Sequence, residues 1–120
     1  MDFRLSAEQL GEDGHLIAFI GEADPNSAPA LKRELLQAIE SGARHVVVDL
    51  TETTFIDSTT LGILIGASKR LRSRGGDVSL VCGDGDIRKI FEITLLDRIF
   101  TIDATRDEAL DRLGLAAGTG

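Results

Sequence analysis

The side chains of this 120-residue chain that are best placed for chemistry lie in the segment Phe55-Ile56-Asp57-Ser58. The segment separates an apolar run from a helical pattern, so Ser58 is predicted to cap a helix N-terminus, with Asp57 directly before it. A serine there can accept a phosphoryl group, because the positive end of the helix dipole stabilises the added charge. A purely structural interpretation stays open, since serine is among the commonest N-cap residues.

The helix after Ser58 is predicted to have two different faces. At about 100° per residue, one set of residues points into the core and another points away from it. The inward set is Leu61, Leu64, Ile65, Ser68 and Leu71, and the outward set is Thr59, Gly62, Ile63 and Gly66. Two glycines beside an isoleucine make a smooth surface that a partner can approach closely. A phosphate on Ser58, next to Asp57, would keep the fold but oppose binding at this surface.

Other patterns that could carry chemistry are weaker. The turn 83–88 follows a predicted strand as a dinucleotide-binding turn would, but Arg88 replaces the last glycine and Asp84 and Asp86 would face a pyrophosphate. A tight turn with an aspartate N-cap is the better interpretation. Ser58 lacks the Gly-x-Ser-x-Gly context of a hydrolase nucleophile, and the two histidines are isolated. We therefore predict no catalytic residue, no cofactor and no metal site.

Composition argues against several classes of protein. The formal net charge is −7, the sequence pI is about 4.7, and Trp and Tyr are absent, so nucleic acid is not an expected ligand. Cys82 is the only cysteine, which excludes an internal disulfide. The longest nearly uncharged stretch, 58–68, is too short to span a membrane, and residues 1–4 do not resemble a signal peptide. The expectation is a cytoplasmic protein without membrane contact.

The elements that must position Ser58 are predicted to form one α/β domain over 1–113, followed by a disordered tail over 114–120. The predicted strands are 3–5, 16–20, 45–50, 78–82 and 99–102, and the predicted helices are 27–41, 58–72, 86–94 and 105–113. Residues 51–57 are predicted to be a loop. The pattern indicates a mixed sheet, with an antiparallel opening hairpin, then βαβαβ, and about four packed helices.

Three stretches of the chain together are similar to one known family. They are 21–31, then 45–50 with 55–58, and finally 87–91 with the closing pair 109–110. These stretches resemble the STAS domain family, specifically its stand-alone anti-sigma factor antagonists. The resemblance extends from about Leu16 to Leu113 and implies a bacterial, cytoplasmic regulator of transcription of the stress-response type.

The resemblance also implies a partner-switching mechanism. In that family the serine that matches Ser58 is phosphorylated by an anti-sigma factor that is an ATP-dependent serine kinase, and a PP2C-like phosphatase removes the phosphate. The unphosphorylated antagonist holds the anti-sigma factor and frees a sigma factor, so this chain is expected to be a substrate and binder, not an enzyme. Asp24 matches a family position near the switch serine. The predicted binding residues are Asp24, Asp57, Ser58, Thr59, Gly62, Ile63 and Gly66.

The sequence departs from the family pattern at two positions. Thr60 stands where the family usually has glycine, and Leu95 stands where it often has glycine. Thr60 is expected to narrow the space beside Ser58, and both Thr59 and Thr60 become secondary acceptors. Two alternatives remain open: a STAS scaffold or sensor module of a transporter or signalling complex without a phosphoswitch, and an esterase that uses Ser58.

Overall fold

The computed structural model describes residues 3–115, which form a mixed six-stranded sheet with four α-helices. The strands are β1 (Phe3–Leu10), β2 (Gly14–Ala23), β3 (His45–Asp49), β4 (Thr53–Ile56), β5 (Asp77–Val81) and β6 (Thr101–Asp103). The helices are α1 (Ala28–Glu40), α2 (Ser58–Arg72), α3 (Asp86–Ile93) and α4 (Arg106–Leu113). The predicted fold class is confirmed.

The strand order is β1-β2-β3-β5-β6, with β4 paired to β2. β1 and β2 form the predicted antiparallel hairpin, whereas every other pairing is parallel. The prediction of a loop over 51–57 is wrong, because β4 occupies 53–56. β3 pairs only with the first half of β2, up to Ala18, so the second half of this long strand is free to pair with β4 from Gly21 onward.

Two hydrophobic clusters lie on opposite faces of the sheet. The larger cluster contains the inward residues of α1, α2 and α3, and the smaller one contains Ala109 and Leu110 of α4. β3 supplies both, since Val46 and Val48 belong to the larger cluster and Val47 to the smaller. This explains the continuous β-branched run, because a central strand covered on both faces has no solvent-facing side.

The ends of the helices agree with the sequence in most places. The predicted inward face of α1 is buried, and Gly42 after it has φ +100°, a conformation that favours glycine. Thr105 caps α4 by accepting a hydrogen bond from the Glu108 N–H. Gly114 is left-handed and ends α4, while residues 116–120 of the predicted tail lie outside the described residues.

The connection between α3 and β6 differs from the prediction. A 3-10 turn occupies Leu96–Arg98, and β6 begins at Thr101 instead of residue 99. Leu95, directly before the turn, has φ 61° and is about half exposed. The chain therefore turns sharply here through a left-handed leucine, which is an unfavourable conformation for a residue with a Cβ.

Candidate functional site

The carboxyl end of β2 fixes the first turn of α2. The Ala23 carbonyl accepts one hydrogen bond from the Asp57 N–H at 3.1 Å and another from the Thr60 hydroxyl at 3.2 Å. Ala23 and Thr60 are both buried. The Asp57-Ser58 segment is therefore anchored to the sheet and is not part of a free loop.

Asp57, not Ser58, is the N-cap of α2. Its backbone is extended, with φ −113° and ψ 176°, and its carboxylate accepts a hydrogen bond from the Thr60 N–H at 2.9 Å. Ser58 is the first helical residue and is exposed. The prediction that Ser58 caps the helix is wrong because both residue types are good caps, and the extended backbone lies one residue earlier. The Ser58 hydroxyl is thereby left without the capping role.

Thr60 faces the core instead of Ser58. Its side chain is fully buried and its hydroxyl donates to Ala23, so it does not narrow the space beside Ser58, and a kinase cannot reach it. Both expectations about Thr60 are corrected by this orientation. Thr59 is exposed, and its role as a secondary acceptor stays a prediction.

Asp24 lies at the same junction, directly after Ala23. One carboxylate oxygen accepts hydrogen bonds from the Asn26 N–H at 2.9 Å and the Ser27 N–H at 3.1 Å. The Ser27 hydroxyl in turn donates to the Glu22 carbonyl at 2.9 Å. Asp24 thus shapes the turn that leads into α1 and remains partly exposed. The fold brings it to the end of the sheet where Asp57 is anchored.

The outward face of α2 forms one wall of a groove, and α1 forms the other. The groove has a volume of about 310 Å³. It is lined by Lys32, Leu35, Leu36, Ile39, Thr59, Gly62, Ile63, Gly66, Ala67 and Arg70. A Cβ at Gly62 or Gly66 would meet no atom within 4 Å, so the two glycines leave the groove open. Ile63 is half-buried and also packs on the core.

Sequence reasoning missed the α1 side of this groove. The periodicity of α2 identifies which of its residues face away from the core, but it contains nothing about the neighbouring helix. Lys32 and Arg70, the charged residues of the lining, lie on different helices and become neighbours of the same surface only after folding. The groove therefore combines apolar walls with two cations, although the whole chain is acidic.

The other candidate groups lie elsewhere. The turn 83–88 leads into α3, whose N-cap is Gly85 without a side-chain hydrogen bond, so the predicted aspartate cap is wrong. Asp84 and Asp86 line a second hollow, which lies between this turn and residues 50–53. Burial raises the pKa of the Cys82 thiol above its ordinary value of 9.0, although Arg88 acts in the opposite direction. His15 and His45 lie on β2 and β3.

Comparison with known proteins gives the family. The STAS domain model matches residues 6–109. The chain belongs to the STAS domain family. Among similar proteins, the anti-sigma-B factor antagonist of Bacillus subtilis is 31% identical over 104 residues, covering 87% of this chain and 94% of that protein. The anti-sigma-B factor antagonist of Listeria monocytogenes is 36% identical over 96 residues, covering 78% and 83%.

Solved structures of STAS domains agree with this assignment. A crystal structure of an anti-sigma factor antagonist from Mycobacterium paratuberculosis superposes with a TM-score of 0.85 at 25% identity, covering 94% of this chain and 95% of that one. The unphosphorylated form of the antagonist SpoIIAA has a TM-score of 0.81 at 22% identity over 92% and 96%, a likeness of fold. Within residues 3–115 of this STAS domain, no helix is long and apolar enough to cross a membrane.

Proposed function

We propose that this STAS domain is an anti-sigma factor antagonist whose binding is switched by phosphorylation of Ser58. The observation that carries the proposal is the position of Ser58, which is exposed in the first turn of α2. Asp57, and not Ser58, caps this helix, so the Ser58 hydroxyl is not used as a cap. It lies one residue before Thr59, which lines the open groove. The names of the Bacillus and Listeria relatives support the same role.

In the unphosphorylated state, the anti-sigma factor binds across the α1–α2 groove and the first turn of α2. Gly62 and Gly66 let the backbone of α2 approach the partner, because no side chain of their own fills the groove. The apolar walls supply the area removed from water on binding, and Lys32 and Arg70 favour a partner segment that carries acidic side chains. Binding sequesters the anti-sigma factor and frees a sigma factor.

A phosphate on Ser58 adds about −1.5 to −2 charges at the start of α2. In the free domain this charge is tolerated, since the helix N-terminus contributes roughly 0.3–1 kcal/mol in its favour. Two unit negative charges 4 Å apart in water repel by about 1 kcal/mol, so a carboxylate such as Asp57 would oppose a phosphate of this charge by about 1.5–2 kcal/mol at that distance. The net cost of about 1 kcal/mol is small against the stability of a folded domain. Under a partner surface the same charge loses its water, which costs several kcal/mol unless it is paired. The fold is kept and the complex is lost.

The groups that add and remove the phosphate come from other proteins. The anti-sigma factor acts as an ATP-dependent serine kinase on Ser58, and a PP2C-like phosphatase reverses the reaction. Thr59, also exposed, is a secondary acceptor. The chain itself is a substrate and a binder, with no catalytic group and no cofactor, and it acts in the cytoplasm without contact to nucleic acid or membrane.

Binding measurements with Ser58 variants test the proposal. The unmodified domain and Ser58→Ala should bind the cognate anti-sigma factor, whereas Ser58→Asp should bind it at least about tenfold more weakly, a loss of about 1.4 kcal/mol. Thr101→Asp is the control, since it adds the same charge at an exposed position of β6, which is not among the residues that line the groove. Equal binding by Ser58→Asp and the unmodified domain, with Thr101→Asp also unchanged, contradicts the switch.

Mass measurement and a serine-reactive probe distinguish this proposal from its two alternatives, a scaffold without a phosphoswitch and an esterase. Incubation with the anti-sigma factor and ATP should add the mass of one phosphoryl group. Ser58→Ala should leave at most a slower modification of Thr59, and the double variant Ser58→Ala/Thr59→Ala should gain no mass. A scaffold without a phosphoswitch would gain no such mass, in vitro or when isolated from its native cells. An esterase would react at Ser58 with a fluorophosphonate probe, and we expect no labelling.

A further inference from the structure

β1 is an unpaired edge of the sheet. It is eight residues long and stands at one end of the strand order, next to β2 alone. Such an edge presents a row of free N–H and C=O groups that can pair with another strand. Its sequence, FRLSAEQL, contains no proline, and its two charged residues, Arg4 and Glu8, have opposite signs, so they repel a second copy only in registers that bring like charges together.

The two faces of β1 have different environments. Phe3 and Leu5 pack on the larger hydrophobic cluster, with the Phe3 ring stacked on Phe19 at a centroid distance of 5.8 Å. Arg4 and Glu8 alternate with them and are exposed. Among residues 3–115, neither takes part in any of the ion pairs that the structure shows. An arginine and a glutamate four residues apart on one strand face are therefore both available.

Symmetry restricts how two copies of β1 can pair. Residues directly opposite each other in an antiparallel pair lie on the same face of the sheet. A closed two-fold arrangement must therefore place one residue opposite its own copy. Centring on Leu5 sets Arg4 against Ser6, and centring on Ala7 sets Glu8 against Ser6. Centring on Ser6 sets Arg4 against Glu8 on both sides of the axis.

We propose that this protein forms a symmetric dimer through antiparallel pairing of β1, centred on Ser6. The strand that pairs with β1 is β1 of a second copy of this chain. In this one register, Arg4 of each copy lies opposite Glu8 of the other. Opposite charges that face each other across strands stabilise a sheet pairing, and like charges destabilise it. The pairing also places the strand of the second copy beside Phe3 and Leu5, which are only partly buried in the single domain.

The dimer leaves the Ser58 surface accessible. α2 packs on β5 and α1, and β2 and β3 lie between β1 and β5. α1 also contacts β1, but the groove is lined by residues of α1 and α2, with none from β1. Each copy therefore keeps its own α1–α2 groove outside the paired strands. The inference is independent of the proposed function, and failure of one leaves the other intact.

Disulfide trapping tests the register. In a Cys82→Ala background, Ser6→Cys should form an intermolecular disulfide under mild oxidation, since opposite Cα atoms lie about 4.5–5.5 Å apart and a disulfide spans about 4.4–6.8 Å. Ala7→Cys is the matched control, because Ala7 is equally exposed but faces Leu5 of the second copy. Preferential cross-linking of Ala7→Cys, or no cross-linking of Ser6→Cys, overturns the proposal.

Charge reversal tests the ion pairs without any covalent bond. Sedimentation equilibrium over a concentration series should show the dimer for the unmodified chain, and raised salt should weaken it. Arg4→Glu and Glu8→Arg should each weaken association by at least about tenfold, and the double variant should recover it. A monomer at every concentration, or equal association of single and double variants, refutes this pairing. An unchanged far-UV circular dichroism spectrum and an unchanged urea midpoint of the single variants are the controls for folding.

Discussion

Asp57 and Ser58 are adjacent residues with different roles, since Asp57 caps α2 and Ser58 is the proposed phosphorylation site. Replacing each residue separately tests both roles. Asp57→Ala removes the carboxylate that accepts a hydrogen bond from the Thr60 N–H at 2.9 Å. Ser58→Asp adds a carboxylate at an exposed position in the first helical turn. We expect Asp57→Ala to destabilise the fold, and Ser58→Asp to weaken partner binding at least about tenfold with little change in stability.

The magnitudes follow from the contacts. Loss of an aspartate N-cap costs about 1 kcal/mol, and loss of a negative charge near the helix N-terminus costs a further 0.3–1 kcal/mol or so. Asp57→Ala should therefore lower the free energy of unfolding by about 1–2 kcal/mol. For Ser58→Asp, the favourable dipole interaction and the repulsion from Asp57 oppose each other, so the change should stay within about 0.5 kcal/mol.

The assay is urea denaturation followed by far-UV circular dichroism, because the chain has no Trp or Tyr to report unfolding by fluorescence. With a slope of about 2 kcal/mol/M, the middle of the range for small proteins, Asp57→Ala should lower the urea midpoint by roughly 0.5–1 M. The slope itself should not change, since the same surface is exposed on unfolding. Asp57→Ser is the matched control, because serine can also cap a helix and should recover most of the loss.

Two results would refute this reasoning. An unchanged midpoint for Asp57→Ala would show that the carboxylate does not cap α2 in solution. A loss of stability for Ser58→Asp as large as that for Asp57→Ala would show that the Ser58 hydroxyl has a structural role. In that second case, lost binding by Ser58→Asp would report unfolding and not a switch.

Three further predictions concern separate features of the structure. Leu95→Gly should raise the free energy of unfolding by about 0.5 kcal/mol. Removing the strain of a left-handed leucine stabilises the folded state by roughly 1–2 kcal/mol, but glycine also loses more backbone freedom on folding, which offsets part of this gain. Leu95→Ala should give no gain. Gly66→Ala should stabilise α2 by about 0.5–1 kcal/mol yet weaken binding of the anti-sigma factor, because the new methyl group enters the groove; unchanged affinity would exclude the groove as the contact surface. Because burial raises the pKa of Cys82, the folded state keeps the thiol proton where the unfolded state loses it. Stability should therefore fall as the pH rises through 9.0, with a smaller slope in Cys82→Ala, and equal slopes would contradict the raised pKa.

Sequence reasoning succeeded where the signal is local. The hairpin is encoded by a turn-rich stretch between apolar strands, and the double burial of β3 by its run of three valines. The family resemblance rested on short local stretches, 21–31, 45–50 with 55–58, 87–91 and 109–110, and the match over residues 6–109 confirms the family. These features depend on neighbours in the chain, which a sequence displays directly.

The errors arose where a structure depends on distant partners. β4 exists because the second half of β2 extends past β3, and nothing within residues 53–56 reveals that free edge. Asp57 and Ser58 are equally good caps by type, and the choice between them is made by the Ala23 carbonyl, which holds the Asp57 N–H. The groove is formed by residues of two helices, α1 and α2, and the periodicity of one helix does not show which residues of another helix lie beside it.

The hydrogen bonds to the Ala23 carbonyl make the conformation around Ser58 depend on folding of the whole domain. This carbonyl joins residues that are 37 positions apart through the Thr60 hydroxyl, so the first turn of α2 is held in place only after β2 and α2 have come together. During synthesis, Ser58 emerges from the ribosome before this contact exists. Under the proposed switch, a kinase that recognises the anchored turn would therefore phosphorylate only molecules that have completed folding, and not nascent or misfolded ones.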